Sequence, residues 1–155
     1  MKYALVNNII TEATSGNMGI CRICKSQVRG YDGDIQVAHW RHLSKSTCDT
    51  WFENETKWHR DWKNQFPSSW QETIIEEDGE KHIADVYNPT KKLTIEFQNS
   101  HLNVNTLKIR EAFYGKMLWV VNTEPYKTNI ILERAIPTKH IYKIIQREVS
   151  KYLTF

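Results

Sequence analysis

Cys21-Arg-Ile-Cys24 is a C-x2-C knuckle, and it is followed by His39-Trp-Arg-His42 and Cys48. Two thiolates at that spacing can grip one tetrahedral zinc from a tight turn. Five candidates then compete for four places. If residues 37–42 are extended, His39 and His42 point to opposite faces, so one ion takes only one of them. The favoured set is Cys21, Cys24, His42 and Cys48, because His-x5-Cys supplies a second close pair; His39 is the alternate. Four protein ligands leave no open position for water, so such a zinc would be structural. The plainer reading is buried thiols and surface histidines. Three cysteines cannot all pair within one chain, and in a reducing compartment they read better as ligands than as disulfides.

A second group is made of oxygen donors. The chain runs His-Ile-Ala-Asp85-Val, then Leu-Thr-Ile-Glu96-Phe-Gln98. Alternation puts Leu93, Ile95 and Phe97 on one strand face and Thr94, Glu96 and Gln98 on the other. A carboxylate in so apolar a strand is costly unless something pairs with it. Asp85, between Ala84 and Val86, raises the same question. Two acids on adjacent strands of one hairpin can share a hard divalent cation such as Mg²⁺. Upstream, Glu55, His59 and Lys63 recur at four-residue intervals, which on a helix makes a polar strip. Hydrolysis of a phosphodiester needs such groups: a cation on the phosphoryl oxygens, an activated water, and a basic side chain for developing charge. Taken singly, the strip also reads as a solvated helix edge, and Arg110 with Tyr114 as a packing pair one turn apart.

These residues need elements to hold them. Residues 2–10 and 18–38 read as short strands punctuated by glycines, a hairpin-rich module. Trp51, Trp58, Trp62 and Phe66 form one apolar stripe, which predicts a helix over Trp51–Phe66, ended by Pro67. Strands are expected at Glu72–Glu77, His82–Tyr87 and Leu93–Gln98, separated by Asp78-Gly79 and Asn88-Pro89. A helix over Asn103–Gly115 with Gly115 as C-cap follows, then a buried strand at Met117–Val121. Ile130–Ile136 reads as another strand, and Lys139–Tyr152 as a terminal helix. The core order is helix, three strands, helix, strand, an α+β arrangement. The expected organisation is a zinc-binding β-rich module over 1–50 and a second unit over 51–155 that includes the C-terminal helix.

Composition narrows the classes further. The 155 residues are 40% hydrophobic, too apolar and aromatic for a disordered chain. No apolar run approaches the roughly 20 residues needed to span a bilayer, and no secretory signal opens the chain, so no membrane association and a cytoplasmic location are expected. Twenty-one Lys and Arg against eighteen Asp and Glu give a net charge of +3, which is permissive for a nucleic-acid partner. All three cysteines, His39, His42, His59 and five of the six tryptophans fall between positions 21 and 70, so the scaffold for function is sought there first.

Several stretches together resemble one family: His-Trp-Arg-His…Cys-Asp, Trp-His59-Arg-Asp-Trp-Lys63, Ala-Asp85-Val, Ile-Glu96-Phe-Gln98-Asn-Ser, Arg110-Glu-Ala-Phe-Tyr114 and Leu-Trp-Val. Over residues 1–123 the chain resembles the competence protein CoiA-like family of the PD-(D/E)xK nuclease superfamily. The resemblance implies a restriction-endonuclease-like αβββαβ core preceded by a zinc-binding module. It further implies metal-dependent cleavage of DNA, in uptake, recombination or defence. Asp85 matches the superfamily's first acid and Glu96 its second. His59 matches a helix histidine that helps bind metal, with Glu55 in support. The superfamily's Lys two residues after the second acid is Gln98 here, as in the CoiA-like proteins. Glutamine can orient a water but brings no positive charge, which leaves that part to Lys63. His82 stands where an Arg is expected. The site so drawn comprises Asp85, Glu96 and His59 or Glu55 on Mg²⁺ or Mn²⁺, Gln98 on the water, and Lys63 on the phosphoryl charge, with Arg110 and Tyr114 in support. The alternatives are a non-catalytic zinc-stabilised nucleic-acid-binding module and a zinc-stapled protein-interaction domain.

Overall fold

The computed structural model describes residues 1–33, 36–44, 48–51, 53–126, 130–134 and 142–146. Its first part is a five-stranded antiparallel sheet of β1 (Tyr3–Val6), β2 (Ile9–Glu12), β3 (Met18–Ile20), β4 (Gln27–Tyr31) and β5 (His39–His42), in the order β2-β1-β3-β4-β5. Asn7 and Asn8, both at positive φ, close the β1–β2 hairpin with the turn that matches strand twist. Trp40 and Val28 centre the core beneath this sheet, with Ala4 and Cys21. Gly30 is required there, because a Cβ would sit 2.2 Å from the Thr14 carbonyl oxygen.

The second part follows the expected order. Helix α1 (Lys57–Lys63) precedes β6 (Gln71–Glu77), β7 (Glu80–Asn88) and β8 (Leu93–Gln98); then come α2 (Val104–Tyr114) and β9 (Met117–Val121). The sheet runs β6-β7-β8-β9, antiparallel except for the parallel β8–β9 pair that α2 connects. Asp78 and Gly79, at φ +48° and +83°, make the two-residue β6–β7 turn. Asn103 caps α2 by accepting from Thr106 N–H at 2.8 Å, and Gly115 ends it at φ +64°. Trp58, Trp62 and Phe66 close on Phe97 with ring centroids about 6 Å away, fastening α1 to β8.

Two expectations change. Helix α1 begins at Lys57, not Trp51, because Thr56 is its N-cap: Thr56 Oγ1 accepts from His59 N–H, and Thr56 N–H donates to His59 Nδ1. Glu55 therefore lies ahead of the helix rather than on it. Trp51 leaves the stripe and stacks on His82 with ring planes 6° apart. The predicted terminal helix over Lys139–Tyr152 also fails, since β11 (Tyr142–Gln146) pairs antiparallel with β10 (Ile130–Arg134). Tyr142, Ile144 and Ile145 favour a pleated strand once a partner is present. Residues 135–136, and the rest of 139–152, lie outside the described residues. Among the described residues no helix is long and apolar enough to cross a membrane.

Candidate functional site

Cys21 and Cys24 occupy the knuckle between β3 and β4, His42 ends β5, and Cys48 follows it. Their ligand atoms all lie within 4.8 Å of one another. Cys21 and Cys48 Sγ are 3.6 Å apart; His42 Nε2 is 3.3 Å from Cys24 Sγ and 3.6 Å from Cys48 Sγ. A tetrahedral zinc requires edges of about 3.8 Å between sulfurs and about 3.6 Å between sulfur and nitrogen. The donor set and its spacing fit, so these four residues can hold a structural metal such as zinc. Burial opposes ionisation of Cys24, yet its contacts with Ser26, His42 and Cys21 bring the thiol down to about 6. Burial and the neighbouring thiols push Cys48 up to about 12. His39 is not part of the group. In β5 it points away from His42, and its ring lies 2.9 Å from the Val37 carbonyl oxygen through Nδ1.

The second group lies where β7 and β8 part. The ladder between them ends at Val86–Ile95. Beyond it the two carboxylates take over as acceptors. Asp85 N–H donates to Glu96 Oε1 at 3.1 Å, and Phe97 N–H donates to Asp85 Oδ2 at 3.0 Å. The strands are thus spliced by their own acids, which stand side by side over a cavity of about 70 Å³. That space is enough for a cation with ordered water. Burial raises Asp85 above its ordinary value, and burial plus the Asp85 charge raises Glu96 well above its own. Of the pair, Asp85 is the more open.

Lys63 is 2% exposed and gives its ammonium to three acids: Glu55 at 2.6 Å, Glu72 at 3.1 Å and Asp85 at 3.6 Å. Burial alone would discharge it, but those carboxylates hold its pKa above the usual lysine range. Lys63 lines the same cavity, with its ammonium shared among these three carboxylates. Glu55 is likewise held by Arg60 at 2.7 Å and by Lys63. It stabilises the lysine and does not reach the Asp85–Glu96 pair through any direct bond. His59 lines the same cavity. Its Nδ1 is engaged by the Thr56 cap, which leaves Nε2 as the ring atom for any ligand. Gln98 Nε2 donates to Glu53 at 3.0 Å and to the Ser100 carbonyl at 2.9 Å. Arg110, from α2, stands 3.6 Å from Glu96 and donates to the Trp51 carbonyl. Burial and the charge of Glu96 keep the neighbouring Tyr114 protonated.

Three residues were not singled out from sequence. Glu72 is fully enclosed and accepts from the backbone N–H groups of Lys2 and Tyr3 as well as from Lys63. Burial would raise it, but Lys63 and these donors hold it near 2. Its φ of +46° is a strained conformation for a glutamate. It sits between the pairs Gln71–Val86 and Thr73–Ala84 of the β6–β7 ladder, a placement that follows from the Asp78-Gly79 turn. Glu53 positions Gln98, with no local pattern to announce it. Asp49 follows Cys48 and accepts from Ile83 N–H and Trp51 N–H, while His82 Nδ1 lies 2.8 Å from it. His82 itself is buried between Asp49 and Glu80, a tie from β7 to the segment that follows Cys48.

Comparison with family models, with curated proteins and with solved structures gave no match.

Proposed function

We propose that the protein is a Mg²⁺- or Mn²⁺-dependent nuclease that hydrolyses phosphodiester bonds in DNA, on a restriction-endonuclease-like core braced by a structural zinc at Cys21, Cys24, His42 and Cys48. The observation that carries this reading is the Asp85–Glu96 pair. A buried and a half-buried acid side by side, both with raised pKa, are costly as they stand, and a bound divalent cation would relieve both desolvation and mutual repulsion. The cation, when bound, would polarise a phosphoryl oxygen and lower the pKa of a coordinated water.

The remaining roles belong to the chain. Asp85 and Glu96 supply carboxylate oxygens fixed by the backbone donors of the facing strand. With Nδ1 accepting from Thr56 N–H, His59 keeps Nε2–H as a donor for a phosphoryl oxygen or a water at the same site. The Gln98 amide nitrogen is occupied by Glu53 and Ser100, so its Oε1 is the acceptor that orients a water. Lys63 counters part of the burial penalty on Asp85 and holds it in place. Arg110 does the same for Glu96.

Purified protein should cleave DNA with Mg²⁺ or Mn²⁺. Asp85→Asn and Glu96→Gln should each slow cutting by roughly 10³-fold, the loss of transition-state charge stabilisation. No cleavage of any nucleic acid with either cation, or cleavage unchanged in both variants, would sink the proposal.

A further inference from the structure

The outer face of the β4–β5 hairpin carries an arrangement that the carboxylate chemistry does not use. In its register Tyr31 faces His39 and Arg29 faces Arg41. The Tyr31 and His39 rings stack with centroids 5.8 Å apart and planes 21° apart. Tyr31 is 40% exposed, and both arginines are exposed. The His39 ring is pinned by its contact with the Val37 carbonyl. Like charges directly opposite on antiparallel strands destabilise a sheet, and among the described residues no carboxylate offsets Arg29 or Arg41. An anion lying across them would.

β5 is the edge strand of its sheet, and a groove of about 660 Å³ runs along it, lined by Tyr31, His39 and Arg41 among others. That size falls in the range of roughly 300–1,000 Å³ usual for ligand sites. The groove adjoins the carboxylate cavity, for Met1, Asp49 and Ile83 line both. A flat aromatic pair beside two cations is what unpaired bases and their phosphates require, since stacking needs a base face that a duplex keeps covered.

We propose that the Tyr31–His39 stack and the Arg29–Arg41 pair form a binding subsite for single-stranded DNA, leading from the edge of β5 to the Asp85–Glu96 pair. The proposal rests on the nuclease reading for what happens to the strand, and it narrows the substrate to DNA with an unpaired segment. Bases stack on Tyr31, and the two guanidiniums take adjacent phosphates.

Fluorescein-labelled (dT)12 and a blunt duplex of equal length would be titrated without divalent cation, so that no cleavage intervenes. The wild type should bind (dT)12 more tightly than the duplex. Tyr31→Ala should weaken (dT)12 binding roughly tenfold and remove the preference, whereas Tyr31→Phe should retain both. Arg29→Gln/Arg41→Gln should lower the slope of log K against log salt by about 1.4, the share of two phosphate contacts on a single strand. Zinc content and thermal midpoint serve as fold controls. Hydrolysis of bis(p-nitrophenyl) phosphate with Mn²⁺, too small to reach the groove, should be unchanged in all three variants. Unchanged (dT)12 affinity in Tyr31→Ala together with an unchanged salt slope in the arginine variant would overturn the subsite. Equal losses for duplex and single strand would overturn it too. Failure of the nuclease reading would show separately, as absent hydrolysis of the small diester while (dT)12 binding persists.

Discussion

The group of Cys21, Cys24, His42 and Cys48 and the pair of Asp85 and Glu96 both hang on strand ends, yet they meet their neighbours in opposite ways. The sulfur–nitrogen group is closed: four donors gather within 4.8 Å around a single point, with edges suited to one small tetrahedral ion. The oxygen pair is open. Its acids are held in line by backbone N–H groups and flanked by Lys63 and Arg110, with a cavity before them. Closed sites stabilise folds, and open ones leave room for a substrate and water. The two are also joined. Cys48 is followed at once by Asp49, whose carboxylate reaches His82 and Ile83 on β7, two residues from Asp85.

That link sets the largest expected effect. Cys48→Ser should release zinc and unfold the five-stranded sheet, because binding energy of a structural zinc, about 10 kcal/mol or more in small domains, is folding energy. Thermal unfolding with zinc analysis reads it. Activity should fall as well, through Asp49. A variant that lost its zinc yet kept its midpoint and its cleavage would separate the two regions.

Lys63→Met comes next. It strands Glu55, Glu72 and Asp85 without their shared cation, and breaking a buried charge network of this kind costs about 3–5 kcal/mol. Urea unfolding measures the loss. A stability change near zero would mean that Lys63 is free for another role, such as facing substrate.

Glu96→Gln should do the reverse in protein that retains zinc but has no Mg²⁺. The folded pKa of Glu96 is raised, so the folded state binds the proton more tightly than the unfolded chain does. Its penalty is absent at acid pH and grows as pH rises from the ordinary carboxylate range through the raised value. The variant should therefore be more stable than wild type near neutrality, with the gap closing as pH falls. Saturating Mg²⁺ should shrink the gap. Parallel unfolding curves from pH 5 to 8, about the working window, test this, and a gap independent of pH would contradict the account. Smallest is Glu53→Gln, which loosens Gln98 and should cost no more than about tenfold in cleavage rate, with KM unchanged.

Much of this contrast is legible in the amino-acid sequence. The group of Cys21, Cys24, His42 and Cys48 is written in C-x2-C and H-x5-C: strand alternation admits only one of His39 and His42, and the close His-x5-Cys pair favours His42. Asp85 and Glu96 were legible because a carboxylate in an apolar strand has few explanations. What could not be read was how distant segments converge. Trp51 sits seven residues before Trp58, a helical spacing, but the Thr56 cap starts the helix later and the ring goes to His82. Local spacing places Lys63 on a helix edge with Glu55 and His59 but says nothing of Glu72, nine residues on, which meets the ammonium only once β6 is in place. The Tyr142–Gln146 stretch has spacing that suits either a helix or a strand, and only pairing with Ile130–Arg134 decides it.

The most direct measurement is a titration of zinc-loaded protein with Mn²⁺, followed by electron paramagnetic resonance. One tightly held zinc and one weaker Mn²⁺ per chain are predicted, the Mn²⁺ lost in Asp85→Asn and Glu96→Gln while the zinc remains. A chain that binds zinc alone, or that keeps its Mn²⁺ site when both acids are replaced, would contradict the central claim of one closed and one open metal site.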